Sequence, residues 1–220
     1  MTAPGFPAAV LWDMDGTIVD TEPYWLDRQQ KLVASFGGVW TAEDGLRNVG
    51  IGLWDSARLL QDAGVDLPAD DIVARMTDEV LDLVRDDPPW RPGAVELLRS
   101  VREAGIPTAL VTMSIEKMAR TIAEALPFPA FDVVIAGDLV SRPKPHPEAY
   151  LTAAARLGVE PALCVAIEDS APGLAAAVAA GTSAIGVPHA TQLPPSAEYT
   201  LWPTLAGRTV EDLVRVAQPA

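Results

Sequence analysis

The chain has 220 residues, 49% of them hydrophobic, and a formal net charge of −14. That length suits one large domain or a core with a smaller insert, and the acidity disfavours a nucleic-acid backbone or an anionic membrane surface as partner. The single cysteine, Cys164, excludes an internal disulfide and fits a reducing, cytoplasmic setting. Residues 1–5 lack the basic start and long apolar stretch of a signal peptide. Residues 8–12 then form an apolar run of strand length, followed directly by Asp13-Met14-Asp15-Gly16-Thr17. Side chains alternate along a strand, so both carboxylates point into the space above its end. Like charges this close are costly unless a metal, a shared proton or a reacting phosphate compensates. A calcium loop starting at Asp13 would need glycine sixth and glutamate twelfth; the sequence has glycine fourth and Tyr24 twelfth.

Residues 24–36, 43–47, 53–63 and 69–84 carry helical patterns with no strong strand between them, punctuated by Gly37-Gly38, Gly64 and Pro88-Pro89. From residue 92 onward, helices alternate with short apolar strands. The helices are expected at 94–104, 115–125, 147–157 and 171–180, the strands at 107–112, 131–135, 162–167 and 182–187. Uniformly apolar strands between helices indicate a parallel sheet covered on both faces. The expected fold is α/β: a doubly wound, mostly parallel, Rossmann-like sheet formed by residues 1–20 and 89–220, with a helical insert over 21–88 hinged near 19–23 and 86–92. The longest uncharged apolar stretch, 171–187, is broken by Pro172, Gly173, Gly181 and Gly186 and makes a poor membrane span.

In such a sheet, ligands bind beyond the carboxyl ends of the strands. Those ends offer Asp13 and Asp15; then Thr112, Met113 and Ser114, with the free amides of a helix start as a phosphate seat; then Lys144; then Glu168-Asp169-Ser170. Thr112 and Ser114 read equally as caps of the following helix, and Glu168 and Asp169 as caps of theirs. Lys144 is more informative. Thirteen of the sixteen basic residues are arginine, and a lysine between Pro143 and Pro145 points to a compact point charge. The set is an inventory for gripping a phosphate beside a divalent cation, which also reconciles an acidic chain with an anionic substrate.

Taken in order, Asp13-Met14-Asp15-Gly16-Thr17, Val111-Thr112-Met113-Ser114, Lys144-Pro145-His146-Pro147-Glu148-Ala149-Tyr150 and Glu168-Asp169-Ser170-Ala171-Pro172-Gly173 resemble the motifs of a haloacid dehalogenase (HAD) superfamily phosphatase with an α-helical cap. The chain is similar to the subgroup of β-phosphoglucomutase and sugar-phosphate phosphatases. The resemblance implies Asp13 as a nucleophile forming an aspartyl-phosphate and Asp15 as general acid and then base. It implies Thr112, Met113, Ser114 and Lys144 around the phosphoryl group. Mg²⁺ would be held by Asp13, the main-chain carbonyl of Asp15 and Asp169, with Glu168 binding directly or through water.

The expected substrate is a small phosphorylated metabolite; no nucleic acid, membrane or protein partner is implied. Where mutases of the subgroup carry a histidine, this chain has Trp25, and it lacks their basic residue just after the cap glycine equivalent to Gly50. Both departures favour a plain phosphatase over a mutase, with Arg47 as a compensating cation that keeps the mutase alternative open. A non-catalytic binding protein on the same fold is the third reading. Glu22, Arg47, Gly50 and Trp54 are the candidate substrate contacts from the linker and cap; His146 and His189 are expected to be bystanders.

Overall fold

The computed structural model describes residues 5–217, so Met1 to Pro4, part of the stretch scanned for a leader, lie outside the described residues. The strands are β1 (Ala9–Trp12), β2 (Thr108–Val111), β3 (Val133–Ile135), β4 (Cys164–Glu168), β5 (Ser183–Gly186) and β6 (Tyr199–Leu201), all parallel, in the order β3-β2-β1-β4-β5-β6. The chain leaves β1 toward one edge and later returns beside it as β4. That reversal opens a crevice at the carboxyl ends of β1, β2 and β4.

Burial follows the period of two. Val10 and Trp12 face one apolar cluster and Ala9 and Leu11 the other, all fully buried. The second face is covered by α7 (Glu148–Leu157) and α8 (Ala171–Ala179), whose buried residues Ala149, Ala153, Ala154, Ala176 and Ala177 let the helices lie close. The first face is covered by α5 (Ala94–Glu103), α6 (Glu116–Glu124) and α9 (Val210–Ala217) through Leu97, Leu98, Met118, Ile122 and Leu213.

Between β1 and β2, before α5, the chain forms four helices and no strand: α1 (Glu22–Ser35), α2 (Ala42–Leu46), α3 (Leu53–Asp62) and α4 (Ala69–Val84). Their amphipathic patterns converge on Leu32, Val33, Leu60, Ile72, Val73, Met76 and Val80. The two passages joining this helical unit to the sheet run antiparallel beside each other. The Asp20 amide bonds Pro89 O at 2.8 Å and the Arg91 amide bonds Ile18 O at 2.8 Å.

Two elements went unread in the sequence. The β6 strand is three residues long, lies at the sheet edge and follows a Pro/Ser-rich stretch that masks it. Helix α9 shows its start in Thr209 and Asp212, whose backbone and side chains bond reciprocally at that end. The strand expected at 162–167 is shifted, because Pro161–Leu163 form a single 3₁₀ turn before β4 begins at Cys164.

Candidate active site

Asp13 leaves β1 with its amide still bonded to Ile167 O at 3.0 Å, which fixes the carboxylate above the gap between β1 and β4. Its Oδ1 accepts a hydrogen bond from Lys144 Nζ at 2.7 Å. Lys144 reaches in from the loop before α7 and is 3% exposed; its other two donors go to Glu168 Oε1 at 2.5 Å and Val111 O at 2.9 Å. Lys31 and Lys117, by contrast, pair with acids on the surface. Of the three lysines only Lys144 is buried.

Glu168 has both oxygens engaged. Oε1 also accepts the Tyr150 hydroxyl at 2.6 Å, and Oε2 accepts the Asp169 amide and the Ser170 hydroxyl, each at 3.2 Å. The cap of α8 is Ser170, which accepts the Gly173 amide at 3.2 Å, so Glu168 and Asp169 are released from that duty. Asp13 Oδ2 and Asp169 Oδ2 are buried without a hydrogen-bond partner among the described residues. Asp13, Glu168 and Asp169 can each offer an oxygen within 4.8 Å of the others. Gly16 has φ +80°, and a Cβ there would overlap the Asp169 carboxylate, so the turn after Asp15 is cut to leave that carboxylate room. Orphaned buried oxygens in an all-carboxylate set fit a hard divalent cation.

Asp15 lies across the cavity and is ringed by donors: the hydroxyls of Thr21 at 2.5 Å, Thr112 at 3.1 Å and Ser114 at 2.8 Å, and the Trp25 indole at 3.4 Å. Thr112 and Ser114 therefore do not cap α6 with their side chains. Asp138 meets the Glu116 amide there instead, at 2.8 Å. The Ser114 amide is turned onto Thr112 Oγ1 at 3.0 Å, whereas the Met113 amide has no hydrogen-bond partner among the described residues.

One ammonium among three buried acids leaves the cluster net negative. Burial, then Glu168, pushes the Asp13 carboxyl up against the pull of Lys144, and burial, then Asp13 and Glu168, pushes Asp169 well up. Burial alone would lower Lys144; Asp13 and Glu168 more than offset it and hold the ammonium above its ordinary range. Glu22, near the start of α1, is raised to about 8 by burial and by Asp15, Asp13 and Asp20.

These groups share one cavity. Its sheet side holds Asp13, Asp15, Thr112, Lys144 and Asp169; its helical side holds Glu22, Trp25, Gln29, Asn48 and Ser56, with Gly50 at the seam. A Cβ at Gly50, φ +77°, would collide with Ser170, so the α2–α3 loop approaches the sheet only because that residue is glycine. Two expected contacts lie elsewhere. Arg47 is exposed and pairs with Glu43 and Asp44, one helical turn back. The Trp54 indole donates to Asp70 at 2.7 Å and lines a separate cleft, because α3 turns Leu53 and Ser56 inward and the intervening residues outward. Sequence reading passed over Gln29, Asn48 and Ser56 as wall residues. The available signal was Glu22, Trp25 and Gln29 at i, i+3 and i+7, which share one helix face. His189 is no bystander in the fold: it bonds Asp20 at 2.7 Å and Arg91, tying the two passages together. His146 accepts the Glu148 amide at 3.1 Å, ahead of α7.

Residues 7–181 match the haloacid dehalogenase-like hydrolase family model. Hexitol phosphatase B of Escherichia coli is 32% identical over 199 residues, covering 86% of each chain. A phosphorylated carbohydrates phosphatase of Thermotoga maritima is 32% identical, covering 82% of this chain and 85% of its own. Among solved structures, CbbY from Rhodobacter sphaeroides in complex with xylulose-(1,5)bisphosphate superposes with TM-score 0.82 at 30% identity, covering 91% of this chain and 96% of that one.

Proposed function

This chain belongs to the haloacid dehalogenase-like hydrolases and is a phosphoric monoester hydrolase of small phosphorylated metabolites, and we propose that it works through an aspartyl-phosphate on Asp13 with Mg²⁺ as cofactor. One observation carries the reading: Lys144 ties down Asp13 Oδ1 while Oδ2 is left without a partner, and Asp169, whose own Oδ2 is also without one, brings an oxygen within 4.8 Å of the Asp13 carboxylate.

The Asp13 carboxylate attacks phosphorus and the bond to the ester oxygen breaks, that oxygen taking a proton from Asp15. Asp15, now a carboxylate, accepts a proton from the water that attacks the phosphorylated Asp13, and inorganic phosphate leaves. The Met113 amide and the Thr112 and Ser114 hydroxyls receive phosphoryl oxygens. Those two hydroxyls hold Asp15 Oδ2, so an arriving phosphate competes for them and frees Asp15 to face the leaving group. All three Lys144 donors are taken by protein, so its part is to orient Asp13 and supply positive charge.

Asp13, Asp169 and the Asp15 main-chain carbonyl would hold Mg²⁺, with Glu168, already committed to Lys144 and Tyr150, acting through water. Bound there, the ion would neutralise the carboxylates and draw charge from the phosphoryl oxygens. The helical unit over 21–88 serves as a cap that shields the reacting groups from bulk water, on a core of residues 1–20 and 89–220. Among the described residues no helix is long and apolar enough to cross a membrane; the lone buried Cys164 is consistent with the cytoplasmic setting we assign.

The test is phosphate release from p-nitrophenyl phosphate. Mg²⁺ should support turnover, EDTA should abolish it, and Asp13→Asn should lower it by at least about a thousandfold while the fold is retained. Turnover near wild type in Asp13→Asn removes Asp13 from its role.

A further inference from the structure

We infer that the helical wall of the cavity selects a monoester whose carbon chain is uncharged and hydroxyl-bearing, and rejects bisphosphates, with Gln29 as the specificity-determining residue. The inference rests on the phosphatase reading above and deepens it to a substrate class.

Gln29 lies on α1 and is 5% exposed. Its carboxamide accepts the Trp40 indole N–H at 3.1 Å. An indole nitrogen only donates, so the atom it meets must be the carbonyl oxygen. That contact fixes the amide orientation and leaves the Gln29 NH₂ as a donor toward the cavity, with no other hydrogen bond among the described residues. Ser56, 7% exposed, adds a hydroxyl whose side chain makes no hydrogen bond among the described residues. A fixed donor and a hydroxyl that both donates and accepts match the hydroxyls of a polyol, each of which donates and accepts. A chain without hydroxyls would leave these buried groups unpaired, which costs more than a missing hydrogen bond at a solvated site.

The charge pattern sets the other limit. Among the described residues lining the cavity the one cation is Lys144, fully engaged beneath Asp13. The helical side contributes one ionisable side chain, the acid Glu22, while Arg47 is held outside by Glu43 and Asp44. A second phosphate would bring about two negative charges to a wall without a counter-ion. The CbbY structure holds a bisphosphate on a similar fold; this wall offers nothing to grip one.

The experiment compares kcat/KM, with Mg²⁺ present, for sorbitol 6-phosphate, hexyl phosphate, fructose 1,6-bisphosphate and p-nitrophenyl phosphate. The wild type should prefer sorbitol 6-phosphate to hexyl phosphate and to the bisphosphate by about a hundredfold or more. Gln29→Leu should reduce the sorbitol-to-hexyl ratio by about tenfold, expressed mainly in KM. Trp40→Phe keeps the amide and removes its anchor, and should shift the ratio the same way, so a Gln29→Leu protein that fails to fold does not end the test. Equal turnover of the bisphosphate, or a ratio unmoved in both variants, overturns the inference. Hydrolysis of p-nitrophenyl phosphate without any polyol preference sinks this inference alone. Loss of turnover on every ester sinks the hydrolase reading and the inference with it.

Discussion

Replacing Lys144 by methionine keeps the length of the side chain and removes the one charge that reconciles Asp13 with Glu168. In the wild type the ammonium is 2.7 Å from Asp13 and 2.5 Å from Glu168, with both its side chain and those carboxylates nearly or fully buried. Without it, two acids with oxygens within 4.8 Å of each other lose their counter-ion and Val111 O loses its donor. At an effective dielectric of ~20, like charges at that separation repel by about 3.5 kcal/mol. Breaking a buried pair by deleting one partner costs about 3–5 kcal/mol in measured cases, so the two figures agree. For a chain of this size that lowers Tm by about 7–14 °C.

The deficit should depend on pH. With the lysine gone, the carboxyl of Asp13, already held above its ordinary value by burial, loses the charge that pulled it down, so the penalty is absent below its unfolded value, near pH 4, and grows as pH rises. Thermal melts of Lys144→Met in EDTA should therefore fall furthest behind wild type at about pH 8 and converge toward about pH 5, and Mg²⁺ should recover part of the loss. A variant melting with the wild type at both pH values would mean that the buried ion pair does not exist.

Gly16→Ala should cost at least about 2 kcal/mol, since a positive φ and an overlap with the Asp169 carboxylate combine, and calorimetry should show weakened Mg²⁺ binding; full Mg²⁺ affinity would show the turn to be tolerant. Glu22→Gln should stabilise the metal-free protein. The acid is raised to about 8, so its penalty builds as pH rises from its unfolded value toward 8, and removing it should gain about 3–4 kcal/mol at about pH 8.5 and less than about 1 kcal/mol near pH 5. A destabilised variant at high pH would contradict that. Mg²⁺ affinity should climb with pH and then flatten, because Asp13 and Asp169, both raised, must shed protons to bind the ion; titration calorimetry at three pH values reads the slope, and a flat profile would exclude them as ligands.

The inner strands and the four motifs were legible because each is written locally: continuous apolar runs with acids or hydroxyls where the run stops, and a proline-flanked lysine in the loop after β3. Period two explains why Asp13 and Asp15 share one cavity. What was not legible depends on phase and on distance. Arg47 and Trp54 were chosen by chemistry near Gly50, yet a step of one residue rotates a helical side chain by about a quarter turn, and both face away from the cavity. Gln29, Asn48 and Ser56 read as ordinary helix-surface polar residues until α1, the α2–α3 loop and α3 are set against the sheet. The engagement of Asp15 by Thr112 and Ser114 spans nearly a hundred residues, and the occupation of both Glu168 oxygens by Lys144, Tyr150, Asp169 and Ser170 reflects tertiary placement that no local pattern encodes.

The central claim is that phosphorus passes through Asp13, and borohydride trapping during turnover of p-nitrophenyl phosphate with Mg²⁺ tests it most directly. Reduction of an acyl phosphate converts the aspartate to homoserine, which peptide mass spectrometry should find at position 13, dependent on substrate and absent in EDTA. Homoserine at another acid, or none while phosphate is being released, contradicts the account.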